Sequence, residues 1–554
     1  MPIPIRAVCT ALILTIVIAI GILGSVPPVD RDSLTHHLYV PKLYLKHGGI
    51  YEIPAIEFSY FPMNLDMVYT MALYFGNDIL PKYIHFSFAL LTAWLIFRYL
   101  KYRLNTRYAL FGIVLFLAVP IIVKLSITAY VDLGLIFFSM FSLIYLLKWA
   151  ENDFQLKYLL ISAIGCGMGL GTKYNGLITF FLMTLLVPFS YVRLSTHKKI
   201  SLLTPFGYAG VYLFVSLIVF SPWMIRNIIW KQNPVYPLYD SWFHRNAQPS
   251  STSVTDEDDP MPTKRMNHFL IRKFVFHEPW WKTALIPVRI FFEGKDDEPA
   301  YFDGKLSPLI FLLPFLAFFR IRSKPSLFQY EIRTFLAFSV FFLLYAFVTT
   351  DMRIRYIAPI IPPLVVLSII GLHDLLAWVQ AFSSRNARIW TRTGIWIGIL
   401  ALFPADYVIG QFTQVKVIPY LTGKIDRDAY ITTFRPEYPV IRHANQHLPE
   451  TARILAIFLG NRGYYFDREV LFDMKLPIPK DSGTADSTQT VEGLLQKQEI
   501  THLLIRYDLF DRWISALTER ERDILTRFFH THARLLFSAN GHGLFALDII
   551  SDEK

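Results

Sequence analysis

Cysteine, charge and metal-binding patterns are all scarce in this sequence of 554 residues. Its two cysteines, Cys9 and Cys166, fall within apolar runs, so we predict no disulfide framework. Only 18% of the residues are charged while 53% are hydrophobic, which is too little charge for a soluble protein of this size. No His or Cys spacing gives a defensible metal-ligand set, and no solenoid repeat is present. These absences favour a membrane protein.

Long apolar runs are abundant instead. A spanning helix needs about 20 mostly apolar residues, because every backbone polar group in lipid must be satisfied within its own segment. The first run follows Arg6 and has no small-residue cleavage site before Pro27, so we expect a retained helix rather than a signal peptide. Eleven spans are predicted, at about residues 7–26, 82–100, 108–124, 129–148, 157–172, 176–192, 206–223, 307–320, 332–349, 356–380 and 392–411.

Basic residues in the short connections predict the orientation, because cytoplasmic loops retain Lys and Arg in excess. They occupy alternate connections, so the N-terminus is expected in the cytoplasm and residues 27–81, 224–306 and everything after about 412 outside. The net charge of +11 is largely explained by these loops, which leaves little support for nucleic-acid binding. The residues concerned are Arg98, Lys101, Arg103 and Arg107; Lys148 and Lys157; Arg193, Lys198 and Lys199; Arg320, Arg322 and Lys324; and Arg385, Arg388 and Arg392.

The sequence after the last predicted span has a different character. From about Asp426, short apolar runs such as ARILAIF, THLLIRY and ARLLFSA alternate with helical patterns, which predicts a small α/β domain. We therefore predict a polytopic α-helical membrane domain at 1–411, with outer loops 27–81 and 224–306, followed by a soluble outer α/β domain at 412–554.

In the first outer loop, Leu34 to His47 resembles an interfacial helix, which Gly48 and Gly49 would end. Lys42 and Lys46 are four residues apart and so share a face, where their ammonium groups could meet lipid phosphates.

Ionisable residues next to membrane spans are costly to place, which makes their positions informative. Five separate segments carry such residues, and each segment is expected at the outer water boundary. A carboxylate there could accept a proton from an acceptor hydroxyl, while cations stabilise a departing phosphate. Arg would do so bidentately and Lys as a point charge. The residues are Asp30 and Asp32, Lys124 and Asp132, Lys173, Arg226 and Asn227, and Asp351, Arg353 and Arg355.

Several stretches resemble a known family. They are DRDSLTHHLYVPKLYLKHGG at 30–49, AYVDLGLIFF at 129–138, GLGTKYNG at 169–176, SPWMIRNIIWKQNPVYP at 221–237, FDGKLSP at 302–308 and RIRYIAPIIP at 353–362. In their order and shared sidedness they resemble the GT-C superfamily of polyprenyl-phosphate-dependent glycosyltransferases, which includes protein O-mannosyltransferases and aminoarabinose transferases. Bacterial members are the most similar.

The resemblance implies a GT-C-like fold that binds a polyprenyl-phosphate sugar and transfers the sugar to a glycan, lipid or protein acceptor. It also implies a multi-pass protein of the bacterial cytoplasmic membrane, acting in the cell envelope with its C-terminal domain periplasmic or extracellular. The general base would be Asp32 or, as the alternative in Asp-Arg-Asp, Asp30. Asp132 would be a second acidic site residue. We expect substrate contacts from His36, His37, Lys42, Lys173, Arg226, Asn227, Arg353, Arg355 and Tyr356.

Other interpretations of these residues remain open. Asp132 could serve only the dipole of the helix that it opens, and Asn233, Pro234 and Pro237 are expected to form a structural bend. A transporter or flippase for an anionic lipid or sugar would use the same cations, and a non-enzymatic scaffold would need none of this chemistry. No cofactor is predicted with certainty, although some relatives use divalent cations.

Overall fold

The computed structural model describes residues 5–195, 203–244, 268–478 and 491–548. Lys198 and Lys199, and part of the predicted outer loop 224–306, lie outside these ranges. The chain divides into two units, one comprising residues 1–24, 60–68 and 80–415, the other residues 25–59, 69–79 and 416–554. The second unit thus combines most of the predicted first outer loop with the C-terminal domain, and residues 60–68 of that loop belong to the first unit.

The first unit is a bundle of apolar helices. Eight are long and apolar enough to cross a membrane, and a bent pair brings the number to nine within the described residues. Each of the eleven predicted spans coincides with helix, which confirms the polytopic helical prediction. The eight are Ile5–Gly24, Leu80–Arg103, Asp132–Glu151, Gly176–Leu194, Leu203–Lys231, Ser326–Thr349, Ile354–Gln380 and Arg385–Gln414.

Several of the predicted spans depart from a single full-length helix, and Arg385–Gln414 consists of Arg385–Ala401 and Ala405–Gln414. Thr106–Ala118 and Pro120–Ser126 meet at a bend of 68°, because Val119 precedes a proline and is extended there. Leu156–Leu170 has 15 residues and Leu309–Leu316 has eight, so both are shorter than a full span. Shorter helices of the unit are Asp240–Phe243, His268–Phe274, Trp280–Ala284 and Ile286–Arg289.

The second unit contains a five-stranded sheet. Its strands are β1 (Arg453–Ile457), β2 (Glu469–Asp473), β3 (His502–Arg506), β4 (Ala533–Ala539) and β5 (His542–Leu547). They lie in the order β2-β1-β3-β5-β4, with β1 parallel to β2 and β3 and the remaining pairs antiparallel. The predicted α/β domain is confirmed, and β2 and β5 are strands that the apolar runs did not reveal.

Helices cover both faces of the sheet because successive strand residues point to opposite sides. Ile454 and Ala456 pack towards Tyr438–His447, together with Tyr39 of the first outer loop. Leu455 and Ile457 pack on the other side, against helices of the C-terminal domain. The helices of this unit are Tyr39–His47, Val417–Leu421, Arg427–Phe434, Tyr438–His447, Val491–Lys497, Tyr507–Ser515 and Glu519–His532, and Asn64–Tyr74 joins the two units.

Candidate functional site

Asp132 and Lys173 form a buried ion pair in the first unit. Asp132 begins the helix Asp132–Glu151, and its side chain is 1% exposed. Lys173 lies in the turn between Leu156–Leu170 and Gly176–Leu194, and its Nζ is 2.7 Å from Asp132 Oδ1. The other carboxylate oxygen, Oδ2, is buried without a hydrogen-bond partner among the described residues. The pair therefore leaves part of a buried carboxylate unsatisfied.

His85, which sequence reasoning missed, orients the start of the same helix. Its Nε2 accepts a hydrogen bond from the Leu133 amide at 2.9 Å, and its Nδ1 lies 2.9 Å from the Thr128 carbonyl oxygen. Because Nε2 accepts, the proton must reside on Nδ1, which donates to Thr128. A neutral, fully buried imidazole thus fixes the backbone next to Asp132. The sequence did contain a signal for this role, since His85 is a polar residue within a mostly apolar predicted span.

Arg355 and Tyr356 lie next to this ion pair, and Arg353 lies on Tyr356. The Arg355 guanidinium lies 5.5 Å from the ring of Tyr130 and 5.2 Å from the ring of Tyr356, and it acts electrostatically on Asp132. Lys173 Nζ lies 5.3 Å from the Tyr356 ring, and Arg353 lies 6.0 Å from it. Tyr356 is therefore the common neighbour of three cations. The structure brings together four residues predicted from sequence: Asp132, Lys173, Arg355 and Tyr356.

A group of carboxylates holds Lys124 and Arg353. Lys124 Nζ is 3.0 Å from Asp297 and 3.5 Å from Asp296, and Arg353 is 2.8 Å from Asp351. Asp303 is 3.6 Å from Arg353 and 3.9 Å from Lys124. Lys124 and Arg353 thus carry compensating acidic partners, which favours a structural role for both.

Arg226 and Asn227 are held by protein partners. The Arg226 guanidinium lies between the rings of Trp223 and Trp230, at 4.7 and 5.0 Å, and donates to Asn227 and to the Phe61 carbonyl. Asn227, fully buried, donates in turn to the Tyr60 carbonyl and to the Tyr174 hydroxyl. These contacts tie the loop at 60–61 to the helix Leu203–Lys231. They favour a structural role for both residues.

The predicted bend after this helix is present. The Asn233 side chain accepts from the Val235 amide at 3.0 Å and donates to the Leu238 carbonyl. Pro234 and Pro237 lie within this turn, in agreement with a structural role.

Asp30 and Asp32 belong to the second unit, where residues of the C-terminal domain hold the segment that carries them. Tyr465 donates to the Pro28 carbonyl at 2.7 Å, and Arg435 donates to the Val29 carbonyl. Burial raises the pKa of Tyr430, and the negative charge of the Asp30 carboxylate raises it further. Asp30 therefore interacts electrostatically with the Tyr430 hydroxyl. The domain thus fixes the backbone immediately before both aspartates.

His36, His37 and Lys42 follow on the same segment. Both histidines are buried, and the His36 ring stacks on Phe58 at 4.5 Å. The Lys42 ammonium donates to the carbonyls of Tyr464 and Phe466 and pairs with Asp467, each at 2.9 Å. Three protein acceptors favour a structural role for Lys42.

The predicted helix of this segment ends as expected. Gly48 has φ 83°, and its amide bonds to the Tyr44 and Leu45 carbonyls. A short π-helical turn, Ser33–His37, precedes the helix Tyr39–His47.

The described part of the chain contains no group of three His, Cys, Asp or Glu residues placed to hold a metal ion. Within the site, the Asp132 carboxylate is in an ion pair with Lys173, and the described residues place no set of metal ligands around it. We therefore assign no residue to a divalent cation.

Comparisons with known proteins place this fold in a class. Residues 70–226 match the family model for dolichyl-phosphate-mannose-protein mannosyltransferase. No curated protein matches the chain significantly in sequence. The helical membrane fold with a C-terminal sheet domain agrees with the GT-C-like fold that the sequence predicted.

The solved structures that share this fold include ArnT from Cupriavidus metallidurans. Its apo form is 12% identical, with a TM-score of 0.56 over 98% of this chain and 97% of that chain. The form bound to undecaprenyl phosphate is 13% identical, with a TM-score of 0.56 over 99% and 98%. At these identities the likeness establishes the fold, and it extends over nearly the whole of both chains.

Proposed function

We propose that this protein transfers a sugar from a polyprenyl-phosphate carrier to an acceptor hydroxyl at the outer face of a bacterial cytoplasmic membrane. The observation that carries the proposal is the cluster of Lys173, Arg355 and Tyr356 around the buried Asp132, at one end of the apolar helices. The shared fold supports it, since ArnT of that fold has been solved with undecaprenyl phosphate bound. The match to a mannosyltransferase family model agrees.

The reaction is a single displacement. The acceptor oxygen forms a bond to the anomeric carbon while the bond from that carbon to the phosphate oxygen breaks. The bonding pair leaves with the polyprenyl phosphate, and the acceptor proton passes to a carboxylate. We assign that general base to Asp32, with Asp30 as the alternative. Direct displacement inverts the anomeric centre.

Lys173 and Arg355 stabilise the charge that develops on the leaving phosphate. Lys173 has three donor hydrogens, and Asp132 Oδ1 accepts from this ammonium, so donors remain for a substrate oxygen. The carboxylate and the ring of Tyr356 hold the ammonium in place before the substrate binds, which lowers the cost of reorganisation in the transition state. Because Arg226, Asn227, Arg353 and Lys42 each have protein partners, the proposal gives them a supporting role in the structure.

The two aspartates provide a matched test. We expect Asp32→Asn to lower turnover about 10²- to 10⁴-fold, the usual contribution of a general base, with donor binding retained. Asp30→Asn removes the same charge two residues away and is expected to lower turnover less than tenfold. The assay is purified protein in proteoliposomes with a panel of labelled polyprenyl-phosphate sugars, followed by release of lipid phosphate and by sugar on the acceptor.

The same assay separates the rival functions. A flippase would move labelled lipid between leaflets without cleaving the sugar–phosphate bond, and a scaffold would do neither. The reverse pattern, with Asp30→Asn inactive and Asp32→Asn active, would move the base to Asp30. Full turnover in both variants would refute an aspartate base in this segment.

A further inference from the structure

A cavity lined by arginines lies at the other end of the helical bundle from Asp132. It has a volume of about 540 Å³ and is found where the helix Thr106–Ala118 begins and the helix Ile354–Gln380 ends. We call it the arginine cavity. The residues used in the argument below are Arg107, Arg385, Arg388, Arg392, Phe111 and Trp396.

Contacts along one pair of helices, and the course of a third helix, establish that this end is remote from the proposed active site. In the helix Leu80–Arg103, His85 near the start bonds to Leu133, whereas Arg103 at the end pairs with Glu151, the last residue of the helix that Asp132 opens. Arg355 begins the span whose final residues line the cavity. The site described above and the arginine cavity therefore lie at opposite ends.

The positive charges of the arginine cavity are not offset by acidic side chains in the lining that the structure describes. Among the described residues, none of those that line it is Asp or Glu, and its four arginines form no ion pair. Asp374, in the last turns of the span Ile354–Gln380, does not line the cavity, and its Oδ1 is paired with Lys324 at 2.8 Å. Four guanidinium groups around one cavity give it a positive potential that favours an anionic ligand.

A second cavity at the same end shows that this lack of acid is not general. It has a volume of about 630 Å³ and is also lined by basic residues. There, however, Glu151 and Glu331 both pair with Arg103. The excess of Lys and Arg in loops explains basic residues at both cavities, but only the arginine cavity is left without carboxylates.

Two helix N-termini add to the positive potential. Asn105, which lines the cavity, caps the helix Thr106–Ala118, and Arg385 is the first residue of Arg385–Ala401. Each N-terminus carries the positive end of a helix dipole. Guanidinium groups bind phosphate bidentately, so the arrangement is suited to a phosphate ester.

The remaining wall is apolar. The rings of Phe111 and Trp396 lie 5.2 Å apart, and Ile389 lies beside the arginines. A ligand that combines a phosphate with a hydrocarbon part satisfies both halves of this lining. We propose that the arginine cavity binds the phosphate headgroup of an anionic membrane lipid, at a site separate from the proposed active site.

The test counts bound lipids on the full-length protein by native mass spectrometry in detergent, titrating short-chain phosphatidylglycerol. We expect the triple variant Arg107→Gln, Arg388→Gln, Arg392→Gln to bind one lipid fewer, or to bind it at least about tenfold more weakly. Asp132→Asn, which alters the proposed active site at a smaller cost in stability, is expected to retain this lipid and so separates the cavity from that site.

A control variant removes the same charge from the second cavity, with Arg98→Gln, Lys101→Gln and Lys148→Gln. We expect its affinity for the lipid to stay within about twofold of wild type, because the phosphate ligands are intact. An equal loss in this control would overturn the proposal, since general electrostatic attraction would then account for binding.

Inorganic phosphate distinguishes a lipid from a free anion. We expect it to bind at least about tenfold more weakly than the short-chain lipid, because it cannot use the apolar wall. Equal affinity would overturn the lipid assignment. If the triple variant does not fold, the single variant Arg392→Gln serves instead; this residue is exposed, and a loss of about threefold or more is expected.

Discussion

Replacing Lys173 with glutamine should destabilise the protein strongly, and a second substitution should reverse about half of the loss. In Lys173→Gln the Asp132 carboxylate loses the partner 2.7 Å away while its other oxygen already has no hydrogen bond. Removing one member of a buried pair costs about 3–5 kcal/mol. Because Arg355 acts on the same carboxylate, we expect a loss of about 3 kcal/mol.

The reciprocal change is milder. In Asp132→Asn the remaining ammonium is 17% exposed and still lies 5.3 Å from the Tyr356 ring, so we expect a loss of about 1–2 kcal/mol. In the double variant neither member of the pair carries a charge. We therefore expect it to be more stable than Lys173→Gln alone by about 1–2 kcal/mol.

Equilibrium unfolding in mixed micelles measures these differences. The matched control is Lys295→Gln, which makes the same change in an ion pair whose side chains are 54% and 50% exposed. It should cost less than about 1 kcal/mol. If the double variant is as unstable as the sum of the two single variants, burial of an unpaired carboxylate is not what destabilises Lys173→Gln.

The second unit offers three more tests. Tyr465→Phe removes the hydrogen bond to the Pro28 carbonyl; we expect a loss of about 1 kcal/mol and a lower kcat at unchanged KM, measured by unfolding and turnover. In Gly463→Ala the new Cβ would lie 2.1 Å from the Tyr39 ring, which should cost about 1–3 kcal/mol in the same unfolding assay. Burial lowers the pKa of His542 below its usual 6.5, so the neutral side chain contributes to stability above that pH, and this contribution is lost as the pH falls. In His542→Gln the melting temperature should therefore depend less on pH between pH 7 and 5.

Each of these tests has a control. Tyr507→Phe removes a hydrogen bond to Ser538 that is exposed to solvent, and turnover should not change. Gly398→Ala adds a Cβ with no atom within 4 Å and should cost nothing. His530→Gln changes an exposed histidine and should leave the pH dependence intact. Equal effects in variant and control would contradict the corresponding prediction.

The membrane portion was largely predictable because apolar length is a local property. The run predicted at 7–26 is the helix Ile5–Gly24, and that at 82–100 lies within Leu80–Arg103. The run at 307–320 gave a helix of only eight residues, Leu309–Leu316, although its composition is as apolar as that of the others. Hydropathy reports whether a segment can lie in lipid, but not whether its helix is long enough to cross.

The sequence predicted which residues form the site, but not which of them contact each other. The sequence placed Asp132 and Lys173 at neighbouring helix ends. The two residues are 41 positions apart, so their ion pair depends on how their helices pack against each other. For Arg226 a local signal did exist. Trp223 and Trp230 lie three and four residues away on the same helical face, which predicts that they enclose the guanidinium. Whether Asp32 meets Lys173 and Arg355 stays a prediction.

The bond from Arg435 to the Val29 carbonyl has a consequence for biosynthesis, since 406 residues separate the two. A ribosome adding 5–20 residues per second needs roughly 20–80 s to cover that interval. During this time the segment with Asp30 and Asp32 lacks the partner that fixes it. A chain that terminates before Arg435 would contain the membrane spans but would lack this contact to the segment with Asp30 and Asp32. The C-terminal domain, which is translated last, therefore fixes a segment near the N-terminus.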